Sequence, residues 1–313
     1  MGTPRQLNCG NAPLKYLEYT SSMVCPMALD QPVTWIAKDY HVHESHSSDA
    51  PGATVERYCR MAEARGIDEI AFTTHLIIVG PDVDVGVTPS QIPDYLEEIQ
   101  GARGTTSVEL RAGLEVDYFP EEEARLGRIL DEHPLDFVLG SLHYIRGYDI
   151  GTHQGSVDFF GGKPLEEALD IYFIGFREAV ESGLFDAMAH PDYFRKHIRL
   201  THEEPVTWER YGTTVYEAMD SMKDYGVGFE VNSSGWRHGV EGVYPVDGFL
   251  RAAHEAGVDK VTVGSDSHAV EGLGVNTLMA VQRLEEAGYN NICVFESRKN
   301  RRVSISEVKK RGV

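Results

Sequence analysis

Between residues 33 and 295, short apolar runs alternate with longer stretches whose apolar positions recur every three or four residues. The runs at 33–37, 70–72, 108–114, 137–141, 185–189, 228–232 and 261–264 are short for helices and predict seven buried strands. The helical period is clearest at 165–182, where Leu165, Leu169, Tyr172, Phe176 and Val180 share one side. Helices are likewise expected at about 55–65 and 92–101, just after Pro120, and at 208–225, 249–256 and 276–287, with a last apolar run at 292–295. Strands separated by helices must run parallel, so the pattern predicts an α/β fold. Residues 1–32 show no sustained period and cluster Gly, Pro, Asn and Ser, so we expect an N-terminal extension of no assigned role ahead of one domain over 33–313.

Side chains suited to metal ligation stand just past six of the seven apolar runs. His41 and His43 follow the first; on a strand, residues two apart point the same way, so the two imidazoles project together. His75 ends the second run, Glu115 the third, His143 the fourth and His190 the fifth. Asp266 and His268 end the seventh, and Asp49 lies in the loop after the first, with His46 nearby as the alternative to it. Any one of these histidines alone reads more simply as a hydrogen-bonded core or surface residue. Nine such residues placed alike, among them six of the chain's 13 histidines, are not accounted for by composition. The carboxyl ends of parallel strands are also where barrel enzymes place their chemistry.

Composition narrows the partners. The 313 residues are 42% hydrophobic and 25% charged, as in an ordinary globular chain, and the formal charge of -20 argues against a nucleic-acid or anionic-membrane surface. No apolar run approaches membrane-spanning length and no basic-then-apolar leader opens the chain, so a cytoplasmic protein is expected. Cys9, Cys25, Cys59 and Cys293 are scattered and read as reduced thiols; Cys9 and Cys25 have no second close pair to support metal binding. An anionic substrate would need a locally positive site in so acidic a protein, and bound cations would provide it.

The motifs His41-x-His43, His75, Gly113-Leu114-Glu115, Gly140-Ser141-Leu142-His143, Ala189-His190-Pro191-Asp192, Glu230-Val231-Asn232-Ser233-Ser234-Gly235-Trp236-Arg237 and Gly264-Ser265-Asp266-Ser267-His268 occur in order over about residues 36–275. In this the chain resembles the polymerase-and-histidinol-phosphatase (PHP) superfamily of metal-dependent phosphoesterases, and within it the histidinol-phosphatase branch. The resemblance implies a distorted (β/α)7 TIM-like barrel with three divalent metal ions. Position by position it implies His41, His43, Glu115 and Asp266 on the first metal, with Glu115 bridging to a second completed by His143 and His190. Asp49, His75 and His268 would hold the third. Mixed imidazole and carboxylate ligation suits Zn, Mn or Fe alike.

The implied reaction is hydrolysis of a small phosphorylated substrate, with water bridging the first two metals attacking phosphorus in line. Glu115 is then essential. The planar fork of Arg237 suits two phosphate oxygens, and Arg195 is a second candidate. Asp192 is either the acid for the leaving group or a partner that orients a ligand histidine. Tyr118, Trp236 and Tyr244 are candidates to shape the organic end of the pocket, although aromatics at strand ends also serve packing. L-Histidinol phosphate, a step of histidine biosynthesis, is the leading substrate; a nucleotide or sugar phosphate is the alternative within enzymes, and a non-catalytic metal-binding module the alternative outside them.

Overall fold

The computed structural model describes residues 35–204, 206–240 and 242–310. The expected extension over 1–32, with Cys9 and Cys25, lies outside the described residues.

Seven strands form one parallel sheet in sequence order: Lys38–Val42, Glu69–Leu76, Glu109–Asp117, Phe137–Ser141, Ala187–Met188, Gly228–Asn232 and Val261–Gly264. The sheet closes between its last and first strands. His43 N–H donates to the Ser267 carbonyl at 2.9 Å, and Ser267 N–H donates to the His41 carbonyl at 3.3 Å. With helices covering its outside, this is the distorted (β/α)7 TIM-like barrel that the family resemblance implies. The strands are buried along nearly their whole length, which is why they read as continuous apolar runs rather than as alternating ones.

Several boundaries differ from expectation, each for a local reason. The first strand starts after the 33–37 run, at Lys38, and so takes polar residues into the core. Lys38 Nζ pairs with Asp68 and Glu69 at 2.8 Å each, and the Asp39 carboxylate accepts from Ser265 N at 2.9 Å and Gly274 N at 2.8 Å. The same strand carries one extra residue between Asp39 and Val42 relative to its neighbour, a bulge over Tyr40 and His41. The second and third strands run further than their apolar residues, so that His75 and Glu115 lie within strands and pair across the ladder. The fifth strand is only two residues long, because the chain turns away at His190, whose φ is +25°.

The helical pattern at 208–225 divides into a short 3-10 turn, Trp208–Arg210, and the helix Thr214–Tyr225, separated at Gly212 with φ +75°. Between His143 and Leu165 the structure adds a small hairpin (Tyr144–Ile145 with Tyr148–Asp149) and the helix His153–Phe160. The last apolar run forms the strand Asn291–Glu296, which pairs antiparallel with Lys299–Ser304 outside the barrel. That hairpin docks on the amino-terminal side of the strands. Phe295 N–H donates to the Tyr40 hydroxyl at 2.8 Å, and the hydroxyl donates to Glu69 at 2.7 Å. Among the described residues no helix is long and apolar enough to cross a membrane.

Candidate metal centre

The register of the sheet builds the site. His75 lies directly opposite Glu115 on neighbouring parallel strands, and its Nδ1 comes within 3.1 Å of Glu115 Oε2. From the first strand and the residue just past its end, His41 and His43 bring their Nε2 atoms to 3.1 and 3.3 Å from that same oxygen. From the far side, His190 Nε2 and His143 Nε2 stand 3.0 and 3.7 Å from Oε1. Ser141 also donates to Oε1. One fully buried carboxylate therefore has five imidazoles around it.

The remaining expected residues complete the ring. Asp266 Oδ1 is 3.8 Å from His41 Nε2 and 3.6 Å from His43 Nε2. Asp49 Oδ2 is 3.1 Å from His268 Nε2 and 3.7 Å from His75 Nε2, and the ring of His268 stacks on that of His43 at 4.0 Å. His46 instead turns its Nδ1 to Glu44 at 3.0 Å and packs edge-on against Tyr95. His43, His75 and His268; His41, His43 and Glu115; and Glu115, His143 and His190 each offer ligand atoms within 4.8 Å of one another. Glu44, His46 and Glu98 make a fourth, more exposed set of that kind.

The donor chemistry fits divalent cations. His41 Nδ1 lies 2.9 Å from Glu230 Oε1 and His143 Nδ1 lies 3.2 Å from Asp117 Oδ2. A carboxylate only accepts, so in the neutral ring that ligates a cation each Nδ1 carries the proton and each Nε2 presents a lone pair. Those Nε2 atoms face His43 Nε2 at 3.0 Å and His190 Nε2 at 3.3 Å, an arrangement of facing ring nitrogens that a cation stabilises. In addition, among the described residues His43 Nδ1 is buried without a hydrogen-bond partner. Orientation of a ligand histidine through its second nitrogen is the usual outer-sphere arrangement.

The protonation equilibria express the same crowding. Burial opposes charging His41, but Glu230, Glu115 and Asp266 overcome it and hold its pKa well above the imidazole range. Burial likewise opposes His75, yet Glu115 and Asp49 push it up to about 10. Burial, with His268 and His75 alongside, drives His43 well below its usual value. Against the effect of burial, His41 and His75 hold Glu115 well below the carboxylate range.

Local backbone holds these side chains in place. Asp266 adopts φ +54° and His190 φ +25°, both costly for side-chain-bearing residues and therefore held by their surroundings. Arg237 contributes to that hold, donating to the Ser265 carbonyl at 3.2 Å and the Asp266 carbonyl at 2.5 Å. At Gly264 an added Cβ would lie 2.2 Å from Glu230 Oε1 and 2.3 Å from His41 Cβ, so only glycine lets Glu230 reach His41.

The reading of the sequence gave three residues no role. Glu230 and Asp117 orient His41 and His143; Glu230 opens one of the motifs quoted above, and Asp117 sits two residues past Glu115 on its own strand, which was the available signal. Lys196 is the third. Its Nζ donates to the Tyr193 hydroxyl at 2.7 Å, and the Tyr193 ring lies 4.5 Å from His190 and 4.9 Å from His143. Burial lowers the pKa of Lys196 while Asp266, Asp149 and Asp49 work against that fall.

Arg195, by contrast, is enclosed. It donates to the Val243 carbonyl at 2.8 Å, pairs with Asp192 Oδ2 at 3.3 Å and lies over the Tyr244 ring. Asp192 is fully buried, and its Oδ2 also accepts from Tyr211 and from Val246 N–H at 2.8 Å each. Tyr244 faces His190 and Tyr193, whereas Tyr118 bonds to Glu123 away from the ligand ring. Trp236 packs against the core.

A parallel barrel with buried imidazoles and carboxylates converging at its strand ends defines a protein built to hold metal. A family model described as the PHP domain matches residues 39–234, and the chain belongs to that family. It is 28% identical to the probable histidinol-phosphatase of Deinococcus radiodurans over 264 residues, covering 83% of this chain and 97% of that one. It is 24% identical to the histidinol-phosphatase of Lactococcus lactis, covering 83% of this chain and 95% of the other. Among solved structures, the Lactococcus lactis histidinol phosphate phosphatase, complexed with zinc, L-histidinol and phosphate, superimposes with a TM-score of 0.72 at 22% identity over 84% of this chain and 98% of that one. The putative histidinol phosphatase of Listeria monocytogenes gives 0.67 at 21% identity, over 76% and 97%.

Proposed function

We propose that this protein is a metal-dependent phosphomonoesterase that releases phosphate from L-histidinol phosphate, working in the cytoplasm in histidine biosynthesis. In this reading His41, His43, Glu115 and Asp266 hold one divalent cation, Glu115, His143 and His190 a second, and Asp49, His75 and His268 a third. The observation that carries it is Glu115, whose two oxygens stand against separate histidine sets, His41, His43 and His75 at Oε2 and His143 and His190 at Oε1. The substrate is supported by relatives named histidinol-phosphatase that align over most of this chain.

Bound there, divalent cations would supply Lewis acidity toward the phosphoryl oxygens and a nucleophile from water near neutral pH. The chain's own residues do the rest. Glu230 and Asp117 hold the proton on Nδ1 of His41 and His143 and so fix which nitrogen faces the ligand ring. Arg237 sets the backbone of Asp266 and brings positive charge beside it. Lys196, rather than the enclosed Arg195, is the second cation for the phosphate. Asp192 is a positioning residue: it ties Arg195, Tyr211 and the 243–246 loop together instead of protonating the leaving group. The Tyr193 and Tyr244 rings, 5.8 Å apart, form a wall for the organic part of the substrate.

Chelation and reconstitution test the reading. Removal of metal should abolish phosphate release, and Zn, Mn or Fe returned singly should restore it with up to three ions per chain. Undiminished turnover by metal-free protein would contradict it.

A further inference from the structure

On the flank of the barrel a cleft of about 640 Å³ opens between the helix Leu165–Glu181, the 144–149 hairpin and the loops at 79–81 and 118–121. It contains none of the nine candidate ligands. Leu142, Ile145, Ile171 and Ile174 give it an aliphatic floor, and the rings of Phe119 and Tyr144, 5.3 Å apart, form one wall. Glu121 and Glu178 line it as well, and among the described residues neither has an ion-pair partner. Both carboxylates act on the Tyr118 hydroxyl at the cleft wall, which burial and the neighbouring acids, Glu123 first, keep from ionising. Arg146 stands exposed at the rim, on the turn of the hairpin.

Two exposed, unpaired carboxylates lining one cleft with aromatic rings and an aliphatic floor match one ligand chemistry, an ammonium head on a flat ring. We propose that this cleft binds a small organic cation of that class. L-Histidinol, the dephosphorylated product, belongs to it, and that assignment rests on the function proposed above. The cleft also adjoins the metal centre through the chain itself. Leu142 and Tyr144 flank His143, and Tyr118 follows Asp117, which orients His143. A ligand in the cleft therefore bears on the backbone that aims this histidine, and is expected to lower kcat without raising KM.

Calorimetric titration of the full chain with phenethylamine, and with the neutral phenethyl alcohol as control, tests the site without requiring turnover. The amine should bind at least tenfold more tightly than the alcohol. The double variant Glu121→Gln/Glu178→Gln should lose that discrimination while releasing phosphate at the wild-type rate when no amine is present. Ile174→Trp, which fills the cleft, should abolish binding of both. Equal affinity for amine and alcohol, or wild-type amine affinity in the double variant, would overturn the site. L-Histidinol should displace phenethylamine; failure to do so while the amine preference persists would overturn the product as occupant.

Discussion

Nδ1 of His41 lies 2.9 Å from Oε1 of Glu230, and this contact decides which face of the imidazole looks toward Glu115. Glu230 is fully buried and also accepts from Asn232 Nδ2 at 2.9 Å and from His190 N–H at 3.1 Å, so one carboxylate orients two sides of the centre. Glu230→Gln keeps the size but loses the charge that holds the His41 proton. Metal affinity should fall by roughly 10- to 100-fold, with activity recovered at high metal concentration. Unchanged metal affinity would remove Glu230 from this role.

Glu115 should be less forgiving. Glu115→Gln leaves a neutral amide among five imidazoles, so turnover should be lost and bound metal depleted even in excess Zn. Near-normal phosphate release by this variant would remove Glu115 from the centre of the reaction.

Arg195 and Lys196 are adjacent and should respond differently. Lys196→Ala should keep its fold and raise KM for the phosphorylated substrate about tenfold, the loss expected for one charge-assisted hydrogen bond. Arg195→Ala leaves Asp192 buried without its cation and should cost about 3–5 kcal/mol of stability. Thermal melts and steady-state kinetics on the pair separate the two roles; equal KM effects with equal melting temperatures would contradict the assignment.

The His75 pKa gives the metal-free protein a defined pH response. Its folded value of about 10 stands above the 6.5 of a free imidazole. The stabilisation from its pairing with Glu115 and Asp49 is therefore fully present below pH 6.5 and is lost as pH rises through about 10. The melting temperature of chelator-treated protein should fall across that window, and by less in His75→Gln. Metal added at pH 8 should also release protons, because ligation requires the neutral ring. Identical pH dependence in the two proteins would contradict the assigned pairing.

Much of this centre was legible because parallel strands bury both faces and turn polar where they end. His75, Glu115, His143 and His190 each follow such a run, and the ladder brings them together. Between Asp49 and His46 spacing alone made no choice; the loop path sets Asp49 against His268 and turns His46 to Glu44. Arg195 and Lys196 are equivalent as sequence, and only the 3-10 turn Tyr193–Lys196 sends one inward to Asp192 and the other to Tyr193. The hairpin after His143 was missed because its strands are two residues long and carry no period.

The central claim is best tested by the specificity constant for phosphate release from L-histidinol phosphate, measured beside p-nitrophenyl phosphate on protein reconstituted with Zn, Mn or Fe. The account predicts a kcat/KM for L-histidinol phosphate at least a hundredfold above that for the artificial ester. Equal and slow release from both, with metal fully bound, would contradict the proposed substrate.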